Sequence, residues 1–389
     1  MRLARAILLP AVVLGALSHA RADRVRVATY NVHDVRAADV ADGSNARLRS
    51  LALVIQTICP DVLFLNEIET NPQKPRENAE RFAEHYLAVP QGEGLPALRY
   101  RVYAAPVNTG VHSGFDLDCD GQADPRAEGR KYGGDCLGYG EFPGQYGMAL
   151  LVREGLRIDV DRVRTFRDFL WKDMPGALLP TTGPGSTEGW YSDDALGVFP
   201  LSSKSHWDVP VVLEDGGVLH VLCSHPTPPV FDGPEDRNGK RNHDEIRFWR
   251  EYLWKASWIR DDAGRTGALA PDAHAVIVGD LNADPHAGDS LNDPIGSWLL
   301  DCPRVSTAEP PRSATPVERL DDTDTSSFRL RVDYVLPTAG VRVIASGVWR
   351  SNADNPPGVG AAPSVPEKPP SDHFPVWADL DVPAPRPSR

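Results

Sequence analysis

Ten short segments of this 389-residue chain read as β-strands, against only two that carry helical spacing. Arg24–Asn31 opens the series, with Val25, Val27 and Thr29 alternating with polar residues. Asp61–Leu65 follows as a short buried strand. Further strands are expected at Tyr100–Ala104, Met148–Arg153, Val209–Leu213, Val218–Ser224, Ala275–Gly279, Val332–Leu336, Val341–Val348 and Phe374–Leu380. One helix is expected over Asn45–Ile58, where Leu48, Leu51, Val54, Ile55 and Ile58 share a face and Ser44 or Asn45 caps the start. The other runs over Asp244–Ile259 and buries Ile246, Trp249 and Leu253. So many strands with so few crossover helices predict two β-sheets packed face to face and flanked by helices, in the α/β class. A single doubly wound parallel sheet would need a helix between most strands.

Several of these strands end in polar residues. The first ends at Asn31 in Thr29-Tyr30-Asn31-Val32, and the second leads into Asn66-Glu67. Later come Ser224-His225-Pro226, Gly279-Asp280-Leu281-Asn282 and Asp333-Tyr334-Val335, and Ser371-Asp372-His373-Phe374-Pro375 stands just before the last strand. Carboxylates, carboxamides and histidines converging from separate strand ends suit phosphate ester hydrolysis. That reaction needs oxygen ligands for a hard divalent cation, a held water, and groups that manage protons. Singly, each motif has an ordinary reading as a turn, a cap or a solvated acid.

The six motifs in this order resemble those of the endonuclease/exonuclease/phosphatase superfamily, with Gly-Asp-Leu-Asn and Ser-Asp-His-Phe-Pro as the most specific parts. The resemblance spans Arg24 to about Leu380, apart from insertions near 106–145, 166–205 and 351–370. It implies a four-layer, deoxyribonuclease I-like sandwich of two mixed sheets between helices. It also implies a metal-dependent phosphoric ester hydrolase. Glu67 would then bind Mg²⁺ or Mn²⁺, with Asn31 and Asp372 helping directly or through water. Asp280 would orient or deprotonate the attacking water and Asn282 would hold the phosphate. His373, oriented by Asp333, would serve the phosphoryl oxygens, and His225 would be a second phosphate contact.

Other clusters leave two readings open. Arg241-Asn242-His243-Asp244 resembles an element that follows the phosphate-contacting histidine in phosphatase members, so Arg241 and Asn242 are substrate-binding candidates. A helix cap explains the same residues. Ser203-Lys204-Ser205-His206 is a further candidate for substrate contact. Either Gln145 or Tyr146 would face the site, and Tyr146 is retained as a contact. Glu69 is a second metal ligand or, preferably, a solvated acid. Asp116, Asp118, Asp120 and Asp124 match the DxDxDGxxD spacing of a calcium loop, yet Ala127 stands where the closing acid belongs. A structural Ca²⁺ site or a solvated acidic loop is expected there.

Residues 1–22 read as an export leader: Arg2 and Arg5, an apolar run from Ile7 to Leu17, and Ala20-Arg21-Ala22 as a cleavage site. That run is too short to span a bilayer, so a secreted or periplasmic protein is expected, with one domain over 23–380 and a disordered proline-rich tail over 381–389. Five cysteines cannot all pair within one chain; Cys59 and Cys223 look like core residues, and Cys119 and Cys136 flank a loop where a bridge is permitted. The net charge of −13 argues against a broad basic grip on duplex nucleic acid, and no stable nucleic-acid partner is expected. A small phosphomonoester or phosphodiester is therefore preferred as substrate over nucleic acid or sphingomyelin. A non-catalytic calcium-binding module would leave the histidine and Gly-Asp-Leu-Asn motifs without a role.

Overall fold

Successive apolar residues in the central strands, such as Val27-Ala28, Phe64-Leu65 and Val221-Leu222, face opposite sides, so both sheets are covered on both sides. The computed structural model describes residues 23–254, 256–306, 308–360 and 368–384. The expected leader, residues 361–367 of the third insertion and residues 385–389 of the expected tail lie outside the described residues. The strands are β1 (Asp23–Val35), β2 (Val62–Ile68), β3 (Tyr100–Tyr103), β4 (Met148–Arg153), β5 (Arg157–Ile158) and β6 (Arg164–Thr165). They continue as β7 (His206–Val212), β8 (Val218–Ser224), β9 (His274–Asp280), β10 (Asp333–Pro337), β11 (Arg342–Val348) and β12 (Val376–Val382). The α-helices are α1 (Ala46–Ile58), α2 (Glu77–Phe82), α3 (Arg130–Gly134), α4 (Asp193–Leu196) and α5 (Arg237–Leu253).

One sheet has the order β11-β12-β1-β2-β4-β3 and the other β10-β9-β8-β7-β5, with β6 also on β7. Both are mixed: β1 and β2 run parallel, as do β8 and β9, while their neighbours are antiparallel. Between the sheets pack Val27, Phe64 and Leu150 from the first and Trp207, Val221 and Val278 from the second, all fully buried. Leu48, Leu51 and Ile55 of α1 cover the outer face of the first sheet against Tyr30 and Leu65. Ile246, Trp249 and Leu253 of α5 cover the second against Leu222 and Ile277. This is the four-layer sandwich expected from the motifs.

Local chemistry sets the ends of the elements. Asn45 is the cap of α1, accepting from the amides of Arg47 and Leu48, and Cys59 in the left-handed region ends the helix. α5 starts at Arg237, two turns before the position expected, because its first turns carry polar residues that hold loops and so interrupt the apolar spacing. β12 continues through Asp381 and Val382, paired with Arg24 and Asp23 of β1, so the ordered chain runs past the boundary expected at 380. All five cysteines are free. A Cys119–Cys136 bridge is not formed: the buried Cys136 thiol donates to Tyr132 O, and Cys119 faces Trp190 O. Among the described residues no helix is long and apolar enough to cross a membrane.

Candidate active site

Parallel pairing brings the motif-bearing strand ends to one edge of the sandwich. Asn31 on β1 is level with Asn66 on β2. Asp280 at the end of β9 is directly opposite Asp333 at the start of β10. β1 and β2 pack against β9, so the two groups meet between the sheets. Gly279 permits the close approach. At φ 144° it lies where side chains rarely fit, and a Cβ there would stand 2.0 Å from the carbonyl oxygen of Ser224 on β8.

Asn31 is the hub. Its Nδ2 donates to Glu67 Oε1 at 2.9 Å and to Asp280 Oδ2 at 3.0 Å, while its Oδ1 accepts from the His33 amide. The Asp34 amide donates to the other Glu67 oxygen, and the Asp280 amide to Asn66 Oδ1. Asp280 Oδ1 accepts from the Asn282 amide, and Asn282 Nδ2 donates to Pro226 O, tying the Gly-Asp-Leu-Asn turn to the His225 loop. Glu67 (φ 65°) and Asn282 (φ 53°) both hold left-handed backbone, a conformation that costs free energy and collects at functional sites.

Two histidines flank Asp280 Oδ2, His225 Nε2 at 3.5 Å and His373 Nε2 at 3.7 Å. His373 Nδ1 is 2.8 Å from Asp333 Oδ2. Burial pulls the His373 pKa down, but the Asp333 and Asp280 carboxylates outweigh it and push it up to about 10, so the ring is an imidazolium at neutral pH. Burial, together with the positive Lys204 and His373, holds His225 well below the usual histidine range. One ring is thus held charged and the other neutral. Burial raises Glu67 and takes Asp280 up to about 6, against the pull of Asn31 on the first and of His373 on the second.

The residues fit a hard divalent cation. Ligand atoms of Glu67, His225 and Asp280 lie within 4.8 Å of one another, and the part-buried Glu67 and buried Asp280 carboxylates supply oxygen donors. Three buried polar atoms here, Asn66 Nδ2, His225 Nδ1 and Asp333 Oδ1, have no hydrogen-bond partner among the described residues, as groups awaiting a ligand or water do. Asn31 presents its amide nitrogen to the two carboxylates. The Asp372 carboxylate is half-exposed and 3.0 Å from His33 Nδ1, outside this group. Its neighbour Ser371 bonds Asn31 O, so the segment bearing His373 is tied to β1.

The remaining candidates separate. Gln145 is buried and accepts from the Glu141 amide, whereas Tyr146 lines a cavity beside Glu67. Arg241 and Asn242 both hold backbone carbonyls around the site. The buried Arg241 guanidinium donates through Nε and Nη2 to the carbonyls of Leu201, Leu137 and Pro200, stacks on Phe199, and also lines the cavity that holds Glu67 and His225. Asn242 donates to Thr227 O and Leu281 O, tying the His225 and Gly-Asp-Leu-Asn loops to α5. Glu69 accepts from the Ala37 amide and joins no acidic cluster among the described residues. Asp116, Asp118 and Asp120 gather at one point, but Asp124 turns away to Arg126.

Two residues gain importance from the structure. Lys204 is buried beside the cluster, its ammonium facing Glu67, Asp280 and Glu245. Glu245 accepts from the Ser203 and Thr227 amides, both at 2.6 Å, and so clamps the Lys204 and His225 loops together. Lys204 was visible as a polar cluster before β7; nothing local distinguishes Glu245 from a solvated helix acid.

The family model described as the Endonuclease/Exonuclease/phosphatase family matches residues 28–373. Solved structures similar in shape include an endonuclease/exonuclease/phosphatase from Beutenbergia cavernae, 18% identical over 94% of this chain and 74% of that one, with a TM-score of 0.49. A family protein from Bacteroides thetaiotaomicron is 14% identical over 92% and 95% of the two chains, at 0.47. A mannosyl-6-phosphatase from the same organism is 15% identical over 92% and 99%, at 0.43. No curated protein matches the sequence. With the family model covering nearly the whole chain, the protein belongs to the endonuclease/exonuclease/phosphatase family, whose members hydrolyse phosphoester bonds.

Proposed function

We propose that this protein is an exported, metal-dependent phosphoesterase that hydrolyses a phosphomonoester or phosphodiester by in-line attack of water. The observation that carries the reading is the convergence of Asn31, Glu67, His225, Asp280 and the Asp333–His373 pair on one buried point. Glu67 and the Asp280 edge would hold Mg²⁺ or Mn²⁺, which neutralises charge on the phosphoryl group when bound. Asp280 orients the water and takes its proton as the water oxygen bonds to phosphorus. Asn282 and His225 hold phosphoryl oxygens. The His373 imidazolium, held by Asp333, stabilises the charge that develops as the ester P–O bond breaks. The leaving alkoxide takes a proton from solvent water and departs as the alcohol, the proton on Asp280 returning to solvent, with no covalent enzyme intermediate. Asp372, still a candidate metal contact through water, would approach by leaving His33. The Asp116–Asp120 group would take Ca²⁺ as a structural ion, without Asp124.

The leader-like sequence of residues 1–22 supports export, and the acidic charge balance supports a small phosphoester over duplex nucleic acid. The test assays the chain from Asp23 onward against chromogenic phosphomonoesters and phosphodiesters, plasmid DNA and sphingomyelin, with chelator, Mg²⁺, Mn²⁺ or Ca²⁺. Metal-dependent turnover lost in the Asp280→Ala, His373→Ala double variant supports the reading. Turnover that survives in that variant overturns the site.

A further inference from the structure

A cavity of about 540 Å³ opens from the candidate active site, with Glu67, Lys204 and His225 in its wall. That volume is in the range of small-molecule sites. The first insertion supplies another part of the wall, including Tyr139, and Tyr146 and Phe231 also face it. These three rings are unusual for a protein surface. Phe231 is 85% exposed and Tyr139 is 46% exposed, although large apolar rings are normally withdrawn from water. Phe231 (φ 69°) and Tyr146 (φ 56°) also hold left-handed backbone, which a bulky residue adopts only under constraint from its surroundings. The Tyr146 hydroxyl stands in the field of Asp34 and Glu67. Two strained aromatic residues and one exposed one therefore line a single cavity that ends at the phosphoryl centre.

From this juxtaposition we propose that the substrate is a small phosphoester whose alcohol portion carries a planar ring, an aryl group or a nucleobase, stacked on Phe231 and Tyr139 with Tyr146 beside it. The proposal rests on the phosphoesterase reading and narrows it. Planar rings stack favourably on aromatic side chains whatever their substituents. The cavity size suits one such unit, and the aromatic wall explains why exposed, strained rings are kept at this place.

The test uses the full chain with Mg²⁺ and two matched pairs, adenosine monophosphate against ribose phosphate, and benzyl phosphate against cyclohexylmethyl phosphate. Within each pair the reacting ester is alike and the planar ring differs. The expected result is a preference of roughly tenfold or more in kcat/KM for a ring-bearing member. That preference should shrink about tenfold in Phe231→Ala and in Tyr139→Ala; both positions are exposed, so the fold survives either change. A preference in the adenosine pair alone assigns a nucleobase, in the benzyl pair alone an aryl group, and either supports the proposal. Equal turnover within both pairs overturns it, as does a preference that both variants leave intact, or cleavage confined to single-stranded oligonucleotide. Calorimetric binding of the same compounds to Asp280→Asn separates the two readings. Ring-dependent binding lost in Asp280→Asn, Phe231→Ala upholds the cavity assignment even where no hydrolysis is seen. Hydrolysis without ring preference overturns the cavity assignment and leaves the phosphoesterase.

Discussion

Asp333 and His373, forty positions apart in sequence, are joined by a buried 2.8 Å contact between a carboxylate oxygen and the imidazole Nδ1. Asp333 stands on β10, and His373 is tied to β1 through Ser371, so the pair bridges the two sheets at the active-site edge. The contact fixes the ring so that Nε2 faces Asp280, and it is a large part of why His373 stays charged despite burial.

Asp333→Asn keeps the shape of that contact but removes the charge. The His373 ring then loses its main electrostatic support, and kcat/KM at neutral pH is expected to fall roughly a hundredfold or more. Steady-state kinetics beside a thermal melt checks it. A fall in activity with the melting temperature nearly unchanged is the expected pattern, and full activity would remove the pair from catalysis.

The part-buried Glu67 and buried Asp280 carboxylates are bridged by one amide, so a divalent cation between them should stabilise the fold as well as support turnover. A hundredfold excess of Mg²⁺ or Mn²⁺ over its dissociation constant is expected to add about 2.7 kcal/mol. The rise in melting temperature with added metal should disappear in Glu67→Gln. A shift of the same size in that variant would mean that the ion binds elsewhere, with Asp116, Asp118 and Asp120 the next place to look.

Arg241 donates to three backbone carbonyls from a buried position, and burial disfavours its charge. Arg241→Lys cannot satisfy all three acceptors in the same geometry. A loss of roughly 3 kcal/mol in urea unfolding is expected, with KM for the folded enzyme changed little. A large rise in KM at unchanged stability would instead return Arg241 to the substrate.

His206 is fully enclosed between Ser202 Oγ and Glu245 O, and burial lowers its pKa to about 4. In the unfolded chain it takes up a proton below about pH 6.5, whereas the folded protein resists until about pH 4. Unfolding therefore binds protons between these limits. The stability contribution is complete above about pH 6.5 and declines by about 3 kcal/mol as the pH falls to about 4. Urea unfolding at stepped pH, compared with His206→Gln, isolates this group; the variant should show a shallower loss on acidification.

Much of the architecture was legible because strand alternation and polar strand ends are local signals. Met148–Arg153 and Val218–Ser224 occupy the expected residues as β4 and β8. Other strands, β7 and β12 among them, are displaced by two or three residues, since pairing with neighbours decides where a strand stops. The start of α5 was not legible, because Arg241 and Asn242 bury polar side chains on loops and break the apolar rhythm. The Arg241-Asn242 motif had two readings in one dimension, and only the tertiary structure showed that Arg241 both holds three carbonyls and lines the cavity.

By itself the sequence determined the fold class and the chemistry available at the strand ends, because the two-residue period and the types of side chain are written locally. Tertiary structure alone decided which of those groups meet. It turned Asn31's nitrogen toward Glu67 and Asp280, turned Asp372 toward His33, and brought buried Lys204 beside the carboxylates through the Glu245 clamp. It also gathered Tyr139, Tyr146 and Phe231 around one cavity. Such meetings depend on sheet register and loop paths between residues tens to hundreds of positions apart, and no local pattern encodes a distance of that kind.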